Sequence, residues 1–407
     1  MIPAGERIDV RLRLSGGRVA AVDVASGRTA TAAAVLEGKT VDDALALLPL
    51  LFALCGVGQL TAGLRAVEAA LGIDVSAQER LARALLVGAE TVSEHATRML
   101  VDWPVLAGLP PDVDGARRVR EAAAALQRVL YPDSRTRARL GGGATLVRPV
   151  LVASAAELAG AVETAVLGLP LAAVAGAEDL AAWLATAEVM PAQVMRAAAA
   201  AGVAEAGGAV AALPPLPPLD PLRLAERLEA TDVVSFLRAP QWDGVVYETG
   251  PFARTGGHGA VAAMVARLGP AVLPRLLARV VETALAVEKI VRITSQMCDD
   301  QTSVEGTQST AAGAGDTAVR WGLGAEDAAR GRLFHHVVVA HGRVARWRIL
   351  APTEWNFQSR GPLAAAVGSL PANDGAWVRR ATEWLVMALD PCVACHVRVE
   401  EEGRGHA

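Results

Sequence analysis

Near its C-terminus the chain reads LDPCVACHVR, with Cys392 and Cys395 separated by two residues and His396 directly after them. Cys55 and Cys298 are the only other cysteines in 407 residues. Thiols paired at this spacing have three uses. C-x-x-C-H is the spacing at which haem c is attached, with His396 as an axial ligand. A zinc ion could take Cys392, Cys395 and His396 with Cys55, although a second C-x-x-C or H-x-x-x-H would normally match the first. The plainest use is two buried thiols at a helix end. Haem fits poorly, because only eleven residues follow His396 to wrap a macrocycle. The opening MIPAGERIDVRLRL also has neither the apolar core of a signal peptide nor twin arginines, and haem c is attached outside the cytoplasm. A cytoplasmic protein with unpaired cysteines is expected.

Composition removes several classes. Hydrophobic residues make up 52% and charged residues 20%, the balance of a globular chain. The net charge is -4, and Lys39 and Lys289 are the only lysines. No basic stripe with interleaved aromatics offers a nucleic-acid surface. Ala44 to Leu64 is 21 residues without a charge, long enough to span a bilayer. Pro49, Gly56, Gly58, Gln59 and Gly63 interrupt it, so a buried helix–turn–helix is expected and no membrane span. EGKT at Glu37 to Thr40 ends like a phosphate-binding loop, but Ala33 stands where the first glycine belongs. Gly141-Gly142-Gly143 and Gly256-Gly257 read as turns.

The elements that must carry the thiols follow from periodicity. Residues 8–25 alternate apolar and polar around Ser15-Gly16-Gly17, which predicts a β-hairpin. Helical sequence runs from Val41 to Trp103, with SAQE (Ser76 to Glu79) capping a helix that should end near Val101, ahead of Pro104. Glu94 and Arg98 could pair one turn apart on it. An Ala-rich helical stretch follows, broken at Pro132, Pro170 and Pro191, with SAAE (Ser154 to Glu157) as a second helix start. LPPLPPLDP (Leu213 to Pro221) is a stiff connector. Helix is expected again over 258–297 and a polar loop over 298–325. Two strands then flank a His341-Gly342 turn, and a last helix, Ala376 to Leu389, delivers Cys392. His335 and His336 are adjacent in a strand, so at most one can face a site. His95 reads as packing at a helix interface, and Cys298 as core or loop. The segments divide as 1–112, a sheet and helices carrying Cys55; 113–221, the helical insert and its linker; and 222–407, the C-terminal lobe.

Four segments together resemble [NiFe]-hydrogenase large subunits. LDPCVACHVR is similar to their C-terminal D-P-C-x-x-C motif. Glu37 to Gly72 resembles the N-terminal partner C-G-x-C-x-x-x-H and its helix. Glu326 to Phe357 resembles the segment E-A-P-R-G…P-T-x-W-N, and YETGPFAR (Tyr247 to Arg254) a further one. Both ends of the chain are touched, and most of 104–235 is not.

The resemblance implies an α+β fold, mostly helical and large-subunit-like, with an N-terminal antiparallel sheet and a C-terminal strand pair. It implies that Cys55, Cys392 and Cys395 bind metal, and that Arg330, Pro352 and Thr353 surround the cyanide ligands of an iron. A cyanide nitrogen on iron carries negative charge and accepts hydrogen bonds from a guanidinium or hydroxyl. The departures matter equally. Gly58 stands where the second N-terminal thiolate belongs, Ala62 where a histidine belongs, and Arg398 where a metal-binding histidine is common. RIDVRL lacks the glutamate of true large subunits. At most three thiolates remain, too few for a bimetallic centre.

That pattern is similar to the HupK/HoxV-type hydrogenase maturation proteins. It implies a non-catalytic scaffold that assembles or carries an Fe(CN)2CO unit, without nickel, for transfer to a hydrogenase large subunit. Hyp-type maturation proteins and the immature large subunit would be its partners. The alternatives are a degenerate large-subunit homologue acting as a regulatory or structural subunit, and a zinc-binding structural protein.

Overall fold

The computed structural model describes residues 7–27, 32–296, 311–314 and 319–401; Cys298 lies outside them. The architecture is α+β, as the sequence implies, with two small sheets set into a helical body. β1 (Arg7–Ser15) and β2 (Arg18–Ser26) form the expected hairpin, and Ile8, Val10, Leu12 and Leu14 all point into the core with period two. This sheet is not purely antiparallel. β7 (Ala394–Glu401) joins it parallel to β1, pairing Cys395 with Ile8, in the order β2-β1-β7. No local pattern announces a parallel neighbour nearly the whole chain away.

The C-terminal strand pair is part of a larger sheet. β3 (Ala311–Ala314) and β4 (Val319–Ala328) precede β5 (Gly331–Ala340) and β6 (Arg343–Leu350), all antiparallel in sequence order. Part of the expected polar loop is therefore strand.

The uncharged run divides into α1 (Val41–Leu51) and α2 (Gly56–Leu71), whose axes bend by 96° at the break. α2 lies directly on β4. A Cβ at Gly322 would sit 2.1 Å from Ala66 O, and one at Gly324 would sit 2.3 Å from Ala62 O. Two glycines in a strand are otherwise unfavourable, and here they admit a helix to backbone distance.

Ser76 caps α3 (Ala77–Thr97) by accepting from Glu79 N at 3.1 Å. Pro104 does not end the helical path. A π-helical turn over Arg98–Asp102 leads into α4 (Trp103–Ala107), with Pro104 in the first turn where no intrahelical donor is needed. α5 (Val113–Leu130) and α6 (Arg148–Val162) follow. SAAE lies inside α6, so Ser154 is a buried interior residue rather than a cap. Residues 148–167 are long and apolar enough to cross a membrane by length and composition; they pack on α5 and the helix Val272–Gln296. One core cluster runs from Ile8 of β1 through α3, α5 and α6 to Val397 of β7, joining all three sequence segments.

Candidate metal centre

Cys55 is the residue from which α2 springs, after a short turn over Ala53–Cys55. No neighbouring side chain caps this helix. Glu90 of α3 does so across space, accepting from Val57 N at 2.7 Å and Gly58 N at 2.9 Å. A Cβ on Gly58 would lie 3.1 Å from the Ala328 methyl and 3.4 Å from Glu90 Oε2. A carboxylate thus lies beside the glycine at which the resemblance to large subunits leads one to expect a thiolate. Burial pushes Glu90 up to about 7 against the pull of the two N–H donors. Burial first, then Cys392 and Glu90, push the Cys55 thiol up to about 12, while Arg330 and a Gln59 hydrogen bond oppose the rise.

Cys392 is delivered by the helix Gly375–Leu389, which ends at Asp390. Asp390 has φ of 55°, a left-handed conformation that costs a non-glycine residue strain. Three guanidiniums hold it: Arg98 Nε at 2.7 Å, Arg279 Nη1 at 2.7 Å and Arg330 Nε at 3.4 Å. Burial works to raise its pKa, but Arg330, Arg279 and Arg98 together drive it far below the usual carboxylate range. The strained turn aims Pro391-Cys392 at the helix Pro352–Asn356. There the Thr353 hydroxyl lies 3.3 Å from Cys392 Sγ, with Pro352 buried in the first helical turn.

Arg330 occupies the tight turn between β4 and β5 and is 5% exposed. Its Nη2 donates to Glu94 Oε2 at 3.1 Å. Nη1, also buried, has no hydrogen-bond partner among the described residues. Burial opposes the charge, but Asp390, Glu94, Cys55 and Cys392 outweigh it and keep the group firmly protonated. Glu94 therefore serves Arg330, and its expected i,i+4 partner Arg98 turns to Asp102 and Asp390 instead. Beneath this layer His95 is fully buried, 2.8 Å from Glu282 Oε2, and Arg254 donates to the same carboxylate at 2.9 Å.

The fold thus gathers Cys55, Cys392, Arg330, Pro352 and Thr353. Cys395 lies on β7, paired with Ile8 of β1. On β7 that thiol is pushed up to about 12, by burial first and then by Asp9 of β1 rather than by the pocket's charges. His396 is half-exposed, with Nδ1 3.8 Å from Asp9 Oδ1. No group of three or more His, Cys, Asp or Glu side chains among the described residues is disposed to hold a metal ion. RIDVRL, which lacks the expected glutamate, carries Asp9 on β1. Glu90 and Asp390 were missed. Asp390 had a signal, since it stands inside the D-P-C motif; Glu90 had only its spacing of one turn from Glu94.

Two soft thiols, a guanidinium with a spare N–H and a hydroxyl suit a soft metal that carries an anionic acceptor ligand. The model of the nickel-dependent hydrogenase family matches residues 210–398. The chain is 31% identical over 408 residues to the hydrogenase expression/formation protein HoxV of Cupriavidus necator, spanning 96% of each. It is 30% identical over 398 residues to HupK of Azotobacter vinelandii, spanning 97% of this chain and 98% of that one. The chain belongs to the HupK/HoxV family of hydrogenase expression/formation proteins. Its fold is that of a hydrogenase large subunit. The Ni-Fe-Se hydrogenase from D. vulgaris Hildenborough superposes with a TM-score of 0.67 at 18% identity, covering 93% of this HupK/HoxV-family chain and 94% of its own.

Proposed function

We propose that this chain is a non-catalytic scaffold in [NiFe]-hydrogenase maturation, holding an Fe(CN)2CO unit as cargo before transfer to the hydrogenase large subunit. The observation that carries the reading is Arg330, a buried cation whose Nε and Nη1 make no hydrogen bond among the described residues, beside two thiols. A buried donor left without a partner costs about 1–3 kcal/mol, and an iron-bound cyanide is an acceptor of the right charge to remove that cost. Cys55 and Cys392 would supply thiolates, which binding must deprotonate. The Thr353 hydroxyl, already against Cys392 Sγ, would donate to the thiolate or to cyanide. Cys395 would join as a third donor only by leaving Asp9. With Gly58 in place of a thiolate and Glu90 filling its surroundings, the site would receive iron without nickel. Hyp-type maturation proteins would load it and an immature large subunit would unload it, in the cytoplasm.

The test is an infrared spectrum with metal analysis of protein purified without oxygen from cells that express the maturation machinery. Cyanide and carbonyl bands with iron and no nickel are expected, and Cys392→Ser should abolish them while the fold persists. A protein holding zinc, or no metal and no such bands, would end the scaffold reading.

A further inference from the structure

A hydrogen-bonded chain enters the pocket from the four-stranded sheet. It runs through Trp347 of β6, His335 of β5 and Gln59 of α2, all three buried. An indole N–H can only donate, and Trp347 Nε1 lies 3.1 Å from His335 Nδ1. His335 Nδ1 is therefore the acceptor, which puts the ring proton on Nε2. That nitrogen is 2.8 Å from Gln59 Oε1, so the amide oxygen of Gln59 accepts and its nitrogen must face the other way. The nitrogen faces Cys55 Sγ at 3.6 Å. Every link dictates the direction of the next. With Gln59 reversed, an oxygen would face the thiolate and an N–H would face the His335 N–H, two repulsive contacts at once.

We propose that Trp347, His335 and Gln59 are positioning residues that hold one N–H on the Cys55 sulfur and so set how strongly Cys55 donates to the iron unit. The proposal rests on Cys55 being an iron ligand, and it assigns three residues that the resemblance does not. A thiolate that accepts a hydrogen bond gives less electron density to its metal. Iron then returns less density to carbon monoxide, and the carbonyl stretch lies higher. A weakened thiolate also suits a cargo that must leave again.

Gln59→Leu removes the N–H at nearly constant volume. It should keep iron bound, move the carbonyl band to lower wavenumber and slow iron loss to a chelator. Trp347→Phe keeps Gln59 but frees His335 to take either tautomer, and should give a smaller shift in the same direction. This second variant guards against a Gln59→Leu protein that fails to fold. Bands that stay in place in both variants, with iron bound, would overturn this proposal alone. Wild-type protein without cyanide or carbonyl bands would overturn the scaffold reading and this one with it.

Discussion

Two buried ionic clusters in this molecule are built from the same side chains and finished differently. In the first, Arg83 of α3 donates from Nε to Glu79 at 3.0 Å and from both Nη atoms to Glu68 at 2.7 and 2.8 Å. Gly143 N and Ala144 N, each at 3.0 Å, and the Tyr131 hydroxyl at 2.7 Å complete Glu79; Gly141 N completes Glu68 at 2.9 Å. The glycine-rich turn at Gly141-Gly142-Gly143 holds the protein's own carboxylates. In the second cluster Arg330 reaches Glu94 and approaches Asp390 but leaves Nε and Nη1 without hydrogen bonds. A saturated cluster can only hold the fold together. An unsaturated one beside thiols has capacity left for a ligand.

Substitution should separate the two. Arg83→Met strands Glu68 and Glu79 in the core and should cost about 3–5 kcal/mol, read by urea unfolding. Equal stability to wild type would mean that the cluster is wet and the contrast empty. Arg330→Met should cost less, about 1–3 kcal/mol, because Arg98 and Arg279 still neutralise Asp390. It should nonetheless abolish retention of the iron unit, which Arg83→Met protein under folding conditions should keep. Tyr131→Phe removes one of several donors to Glu79 and should cost about 1.5 kcal/mol, with no change in the infrared bands.

The smallest effect is on pH dependence. Burial holds His95, against Glu282 and Arg279, and His336, near Glu229, Arg346 and Arg348, down at about 4 from 6.5. The unfolded chain takes up both protons below 6.5 and the native protein does not, so this stability is present above 6.5 and lost as pH falls toward 4. Glu90 has the opposite sign. Raised to about 7 from 4.5, it favours the fold below 4.5 and loses that contribution as pH rises toward 7. Between 4.5 and 6.5 these three groups leave the unfolded state one proton richer, and stability should rise by of the order of 1 kcal/mol per pH unit. Glu90→Gln should steepen the rise in an unfolding series over that window. A slope unchanged from wild type in that variant would show that Glu90 is ionised in the native protein and tethers α2 as a plain carboxylate.

Local chemistry was legible where local chemistry decides. The β1–β2 hairpin, the Ser76 cap, the strand turn at His341-Gly342 and the last helix, predicted from Ala376 and observed from Gly375, all follow from neighbours within a few residues. His335 and His336 do face opposite ways, toward Gln59 and toward Trp321. Local signals failed where packing overrode them. SAAE is swallowed by a longer helix, and Pro104 sits harmlessly after a π-helical turn.

The sequence by itself named the candidates for the chemistry, three thiols, an arginine, a proline and a threonine in recognisable segments, and it placed a glycine at position 58. The tertiary structure alone decided their company. Glu90 meets Gly58 N, Arg330 meets Glu94, and β7 lies parallel to β1 with Cys395 near Asp9. The physical reason is that a buried charge takes whichever partner the packing brings within reach, because leaving it alone in a low-dielectric interior costs far more than forgoing a pairing that sequence spacing would have allowed.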